Sequence, residues 1–166
     1  MKTLAALLMS GLICQTSLAG PKDFDFLLGE HDVSLHAWTA SGWTPPRPTQ
    51  AQWHGHRSLK DQVIQDEWFD PENGDGINIR YFDEAENLWK MMWISTNGRQ
   101  VQDLRAELRE GVLTMWQVHP PRPGWQAQFE VLNNCRWQRI GYQENAKGEL
   151  QRQFKLVATR RGCQLP

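Results

Sequence analysis

The chain has 166 residues, with 18 Lys and Arg against 19 Asp and Glu, and its formal net charge is −1 at pH 7. This length suits one domain whose core needs no metal or crosslink in order to fold. Nucleic acids and anionic membranes demand a concentrated basic surface, so the balanced charge argues against both as partners.

Residues 1–19 have the three parts of a secretory signal peptide. Lys2 gives the positive start, residues 3–14 form an apolar run, and Ser17 and Ala19 are small residues of the kind that a signal peptidase recognises. The run is shorter than the roughly 20 apolar residues that cross a bilayer. We therefore expect cleavage after Ala19, no membrane insertion afterwards, and a periplasmic or secreted domain at residues 20–166.

The rest of the chain shows the spacing of an all-β protein. After a short helical piece at residues 21–28, turn-forming residues recur about every 12 residues. The predicted reversals contain Gly, Pro, Asn or Asp and lie at 58–61, 70–76, 83–87, 97–98, 110–111, 120–124, 133–134 and 145–148. Together with strands at about 30–38 and 50–57, they give roughly ten strands.

Alternating side chains show that these strands have one buried and one wet face. Trp125, Ala127 and Phe129 fall on one face of a predicted strand, while Gln126 and Gln128 fall on the other. Strands joined by short turns pair antiparallel, and closure of the sheet removes its exposed edges. The sequence therefore predicts a single antiparallel up-and-down barrel, preceded by a short N-terminal helix.

Four segments also resemble an uncharacterised family of secreted bacterial proteins with calycin-like barrels. The segments are FDFLLGEHDV at 24–33, DEW at 66–68, GINIRYFD at 76–83 and LWKMMW at 88–93. They are similar to the family's F-D-F-x-x-G-x-W-D-V, E-W, G-x-x-x-R-Y-x-D and W-x-x-x-W motifs. The resemblance implies a lipocalin-like or fatty-acid-binding-protein-like barrel and no established activity. The chain departs from the pattern at His31, where the family usually has tryptophan.

Two cysteines remain once Cys14 has left with the signal peptide. Cys135 and Cys163 form an even pair in an oxidising compartment, which predicts one disulfide that ties the tail to the body of the fold. The alternative is a pair of reduced thiols. Neither cysteine has neighbours that would activate it as a nucleophile.

The candidate ligand-binding residues lie in the middle of the chain, where the alternation is broken. If Asn78 and Arg80 point into the barrel, they meet Glu67 from the preceding strand and form a polar anchor for a carboxylate or hydroxyl. The alternative is a cross-strand pair on the surface. The chain has nine tryptophans, which suit either an apolar pocket or plain packing. The predicted ligand-binding set is Glu67, Asn78, Arg80, Tyr81, Trp93 and Trp116.

Other functional classes have weaker sequence support. His54 and His56 lie on one strand face, but no spaced carboxylate or cysteine completes a metal site, and no histidine follows His119 as a haem ligand. We therefore expect no metal and no cofactor. The leading hypothesis is a binding module that holds a small, largely apolar ligand. The alternatives are an isomerase-like or cyclase-like enzyme using Glu67 in the same cavity, and a filled barrel acting as an interaction protein.

Overall fold

The computed structural model describes residues 19–164, so the predicted signal peptide lies outside this range except for Ala19. Strands make up nearly all of the regular structure, and within residues 19–164 no helix is long and apolar enough to span a membrane. The strands are β1 (Gly29–Thr39), β2 (Gly42–Trp43), β3 (Ala51–Ser58), β4 (Val63–Phe69), β5 (Gly76–Asp83), β6 (Leu88–Ser95), β7 (Gln100–Arg109), β8 (Val112–His119), β9 (Trp125–Asn133), β10 (Arg136–Glu144) and β11 (Leu150–Arg160).

Ten of these strands close into one antiparallel barrel. Each strand from β3 to β11 pairs with its neighbour in sequence, and β1 lies between β3 and β11, which closes the ring. Val33 of β1, for example, is paired with Ala51 of β3 on one side and with Ala158 of β11 on the other. The short strand β2 adds a hairpin to the far end of β1. The predicted up-and-down barrel of about ten strands is confirmed.

The predicted turn spacing corresponds to the hairpins of this barrel. Glu110 and Gly111, with φ angles of 50° and 81°, connect β7 to β8. Positive φ at both central residues is what a tight hairpin turn requires, because it matches the right-handed twist of the flanking strands. Since consecutive strands run in opposite directions, alternate hairpins lie at opposite ends of the barrel.

The segment before β1 covers one end of the barrel, which we call the closed end. The predicted helix at residues 21–28 is reduced to a single 3-10 turn, Asp25–Leu27. Phe24 and Leu27 both have zero exposure in the core, and Gly29, at φ 100°, turns the chain at once into β1. The segment therefore forms a single 3-10 turn before β1 begins. Its two buried apolar side chains close this end of the barrel, and we call the segment the plug.

A glycine on β3 makes the close approach of this plug possible. A Cβ atom added at Gly55 would lie 2.1 Å from the carbonyl oxygen of Leu27. No other residue type fits there unless the plug moves outward. Arg57, at the end of the same strand, pairs with Asp25 and holds the plug from outside.

The disulfide also lies at the closed end. Cys135, in the turn between β9 and β10, is joined to Cys163, which follows β11. Their Cα atoms are 5.7 Å apart and 28 residues apart in sequence. The crosslink therefore holds the end of the chain against the barrel, as the cysteine pairing predicts.

Candidate functional site

The barrel is filled at its closed end and hollow towards its other end, which we call the open end. At the closed end, the Phe24 ring packs edge-on against Trp89 and Phe129, with centroids 5.0 and 5.2 Å away. Above this layer lies a cavity of about 280 Å³, lined by residues of β1, of every strand from β3 to β10 and of the loop after β4. The cavity is the candidate functional site.

Aromatic side chains form most of the cavity wall. Four indole rings line it, from four different strands, and Leu35, Leu104 and Met115 complete the apolar lining. The indoles are those of Trp53, Trp68, Trp93 and Trp125. Trp53 packs edge-on against Trp68, with ring centroids 5.9 Å apart. An apolar wall with a few polar groups is the usual composition of a small-molecule site.

A buried ion pair lies beneath the cavity. Arg80 donates from its two terminal nitrogens to the two carboxylate oxygens of Asp66, at 2.7 and 3.2 Å, and both side chains have zero exposure. The Arg80 guanidinium carbon also lies 5.0 Å from the centre of the Phe24 ring. Burial raises the pKa of Asp66 to about 7, against the lowering effect of the Arg80 charge. The bidentate geometry commits both terminal nitrogens of Arg80 to this pair.

Register explains how Asp66 and Arg80 meet. Asp66 of β4 is paired with Asn78 of β5, and Arg80 lies two residues further along the same face of β5. Residues two apart on a strand share a face, so the long arginine side chain reaches diagonally to the carboxylate.

Arg139 of β10 is a second arginine of the barrel interior, and it lines the cavity directly. Among residues 19–164 it forms no ion pair, and its Nε atom is buried without a hydrogen-bond partner. The ring of Phe154 lies 5.7 Å from the guanidinium carbon. Burial, together with the charge of Arg80, lowers the pKa of Arg139 to about 10, so the side chain keeps its charge at neutral pH.

Three more polar groups of the cavity lining have no partner in the described part of the chain. They are the indole nitrogens of Trp53 and Trp125 and the Oδ1 atom of Asn78, and all three atoms are buried. A buried polar atom without a partner costs about 1–3 kcal/mol. The cavity lining therefore holds hydrogen-bonding capacity that the protein's own side chains do not satisfy.

An ion pair between Arg47 and Asp70 lies at the rim of the open end. Asp70 accepts a hydrogen bond from Arg47 at 2.6 Å and others from the backbone of Glu72 and Asn73. Although burial acts in the opposite direction, these hydrogen bonds lower the pKa of Asp70. The loop before β3 is thereby fixed to the loop after β4 at the cavity entrance.

A second, larger cleft of about 520 Å³ opens in the barrel wall at the closed end. It lies where the short ladder between β8 and β9 ends, at the pair Leu113 and Phe129. Its charged lining residues, Asp23 and Glu130, are both acidic. Because the unpaired cationic and hydrogen-bonding groups converge on the interior cavity instead, we assign the candidate site to the cavity.

The structure places three of the six predicted ligand-binding residues inside the barrel and three outside. Asn78 and Trp93 line the cavity, and Arg80 lies beneath it. Tyr81 and Trp116 lie on the outer face, where Tyr81 is 44% exposed and Trp116 packs under Arg109. Whether any of the six binds a ligand stays a prediction.

The expected contact of Glu67 with Arg80 is wrong. Glu67 is paired across the sheet with His54 and Ile77 on the outer face, and it borders a surface depression. The carboxylate that meets Arg80 belongs to the preceding residue, Asp66. Since side chains alternate along a strand, a shift of one residue moves the carboxylate to the opposite face.

The sequence did contain a signal for Asp66. On β4 the apolar residues Ile64 and Trp68 flank Asp66 at two-residue spacing, whereas Glu67 shares its face with Gln65. Arg139 had a similar signal, because it lies between Trp137 and Gly141 on one face of β10. Neither residue was predicted to be interior, because a charged side chain between two interior positions resembles an interruption of the alternating apolar pattern.

The histidines considered as metal ligands do not converge. His54 is on the outer face of β3, where its ring lies 5.0 Å from that of Phe69, and His56 is exposed on the same strand. Within residues 19–164, no group of three or more His, Cys, Asp or Glu side chains is arranged to hold a metal ion.

Comparison with known proteins supports the architecture. No protein-family model matches the sequence, and no curated protein matches it. Among solved structures, the chain is similar to the S-type phycobiliprotein lyase of Guillardia theta, with a TM-score of 0.51 and 10% sequence identity. The match covers 85% of this chain and 92% of that chain. Likeness at this identity shows the fold alone: the structure fits a calycin-like barrel, and membership of the bacterial family stays a prediction.

Proposed function

We propose that the protein is an exported binding module that holds a small, largely apolar molecule in the cavity at the open end. The observation that carries this proposal is the hollow half of the barrel, where four indole rings surround about 280 Å³. Barrels of this size are either filled with side chains or hold one small ligand. The disulfide is consistent with a periplasmic or extracellular location.

The volume of the cavity limits the size of the ligand. In the liquid, each water molecule occupies about 30 Å³ and contributes one non-hydrogen atom. By this measure the cavity of 280 Å³ holds roughly nine or ten non-hydrogen atoms. A single aromatic ring with a short substituent, or an alkyl chain of about eight carbons, fits this volume. Sterols and retinoids are too large unless the open end widens.

The enzymatic alternative loses its main residue. Glu67 was its candidate acid or base, but this side chain faces outward and does not reach the cavity. Asp66, the carboxylate on the interior face, is fully buried and hydrogen-bonded to Arg80. The structure therefore favours binding over catalysis inside the barrel.

Isothermal titration calorimetry with small neutral and charged aromatic compounds tests the proposal. Phenylacetate, phenylacetamide and indole each have nine or ten non-hydrogen atoms, and at least one should bind saturably. Leu35→Trp should abolish this binding because the larger side chain occupies the cavity, whereas Leu132→Trp, at an exposed position, should leave it unchanged. No binding by any of the three compounds would count against a ligand-holding barrel.

A further inference from the structure

We infer that the ligand carries an anionic group, such as a carboxylate, and that the guanidinium of Arg139 binds this group in the cavity. The inference rests on the proposed binding function and specifies the chemical class of its ligand.

The charges inside the barrel leave a positive surplus. Two arginines, Arg80 and Arg139, face one carboxylate, Asp66. At the rim, Arg47 pairs with Asp70 and, at 3.5 Å, with the exposed Glu72. Asp66 already has its own arginine beneath the cavity. The remaining positive charge is that of Arg139.

Arg139 is available to a ligand in a way that Arg80 is not. Arg80 donates hydrogen bonds from both terminal nitrogens to Asp66 and is fully buried beneath the cavity. Arg139 is only partly buried, lines the cavity itself and forms no ion pair among residues 19–164. A guanidinium presents parallel donors that match the two oxygens of a carboxylate.

The surroundings of Arg139 favour an anion over water. The charge of Arg80 repels it and that of Asp66 attracts it, but Asp66 is already paired with Arg80. The indole nitrogens of Trp53 and Trp125 are further donors of the cavity lining, buried and without a partner among the described residues. A carboxylate would bring acceptors to these donors, and its apolar remainder would lie against the tryptophan walls.

A matched pair of compounds isolates the charge. Phenylacetate and phenylacetamide have the same number of non-hydrogen atoms and differ in whether the polar end is charged. Calorimetry at pH 7.5 should show phenylacetate binding at least tenfold more tightly, which corresponds to about 1.4 kcal/mol. Phenethylamine, which carries the opposite charge, should not bind measurably.

Three variants assign this preference to Arg139. Arg139→Met should abolish the preference for the acid while leaving the affinity for the amide, and Arg139→Lys should retain part of it. Arg109→Met removes the same charge from an exposed outer-face side chain and should change neither affinity. A full preference for the acid in a folded Arg139→Met protein would overturn the assignment.

The outcomes separate this inference from the proposed function. If neither compound nor indole binds, the proposed function fails and the inference fails with it. If acid and amide bind equally, the cavity binds small molecules but the anionic class is wrong. If near-ultraviolet circular dichroism shows that Arg139→Met does not fold, the ratio of the wild type's affinities for acid and amide still tests whether the ligand is anionic. A reduced preference for the acid in Arg139→Lys then tests the assignment to Arg139.

Discussion

The buried histidine at the closed end should make the protein sensitive to mild acid. His31 is 1% exposed, and its Nδ1 atom is buried without a hydrogen-bond partner among the described residues. The ring lies 5.9 Å from that of Trp137. Burial, together with the nearby charge of Arg160, lowers the pKa of His31 from 6.5 to about 4. The folded protein therefore favours the neutral imidazole.

The sign and size of the effect follow from linkage. Well above pH 6.5 the imidazole is neutral in both states and pH has no effect through it. As the pH falls towards 4, the unfolded chain binds a proton at His31 that the folded chain does not, so the stability falls. With these two pKa values, the loss between pH 7.5 and 4.5 is about 2–3 kcal/mol.

Urea unfolding of the wild type and of His31→Leu at pH 7.5, 6.0, 5.0 and 4.5 measures this contribution. The difference in unfolding free energy between the two proteins should change by about 2–3 kcal/mol across the series, in favour of the variant at low pH. Other groups titrate in both proteins and cancel. His56→Leu removes an exposed histidine from the neighbouring strand and should show no such change. Parallel profiles for wild type and His31→Leu would refute the reasoning.

Three further substitutions test the interior and the closed end, each by urea unfolding at pH 7.5. Asp66→Ala leaves Arg80 buried and unpaired and should destabilise by about 3–5 kcal/mol, whereas Asp66→Leu with Arg80→Met should recover most of this loss. Gly55→Ala should destabilise by at least about 1–3 kcal/mol, because the new Cβ meets the Leu27 carbonyl; wild-type stability would mean that the plug moves freely. Cys135→Ser with Cys163→Ser should lower the unfolding free energy by about 3 kcal/mol, and a reductant should then have no further effect.

The barrel could be predicted because its signals are local. Hairpin turns need glycine, asparagine or positive φ at fixed positions, and Glu110 with Gly111 shows this directly. Alternation gave the correct interior face wherever apolar and polar residues separate cleanly, as for Ala127 and Phe129 on β9. Closure followed from the number of strands, since an open sheet of ten strands leaves two unpaired edges.

The site could be predicted only in part because β5 reverses the usual pattern and β4 has a carboxylate between two apolar interior residues. On β5 the inward positions hold Asn78 and Arg80, whereas the outward positions hold Ile77 and Ile79. The composition of β5 therefore does not identify its interior face, and on β4 the buried Asp66 interrupts an otherwise apolar face. Arg139 lies more than fifty residues from Arg80 in sequence, so only the closed barrel brings their charges together.

The buried ion pair does not provide Arg139 with a counter-charge. Removing two charges from water is so unfavourable that apolar replacement of such a pair is often neutral or stabilising. Asp66 and Arg80 therefore add little to stability that well-packed leucine and methionine could not supply. For Arg139, the repulsion from Arg80 is larger than the attraction to Asp66, so the pair leaves the charge of Arg139 unmatched. If the preference for an anion comes from Arg139, the doubly apolar variant should be stable and should keep its preference for phenylacetate over phenylacetamide. Loss of that preference in the folded variant would assign it to the ion pair instead.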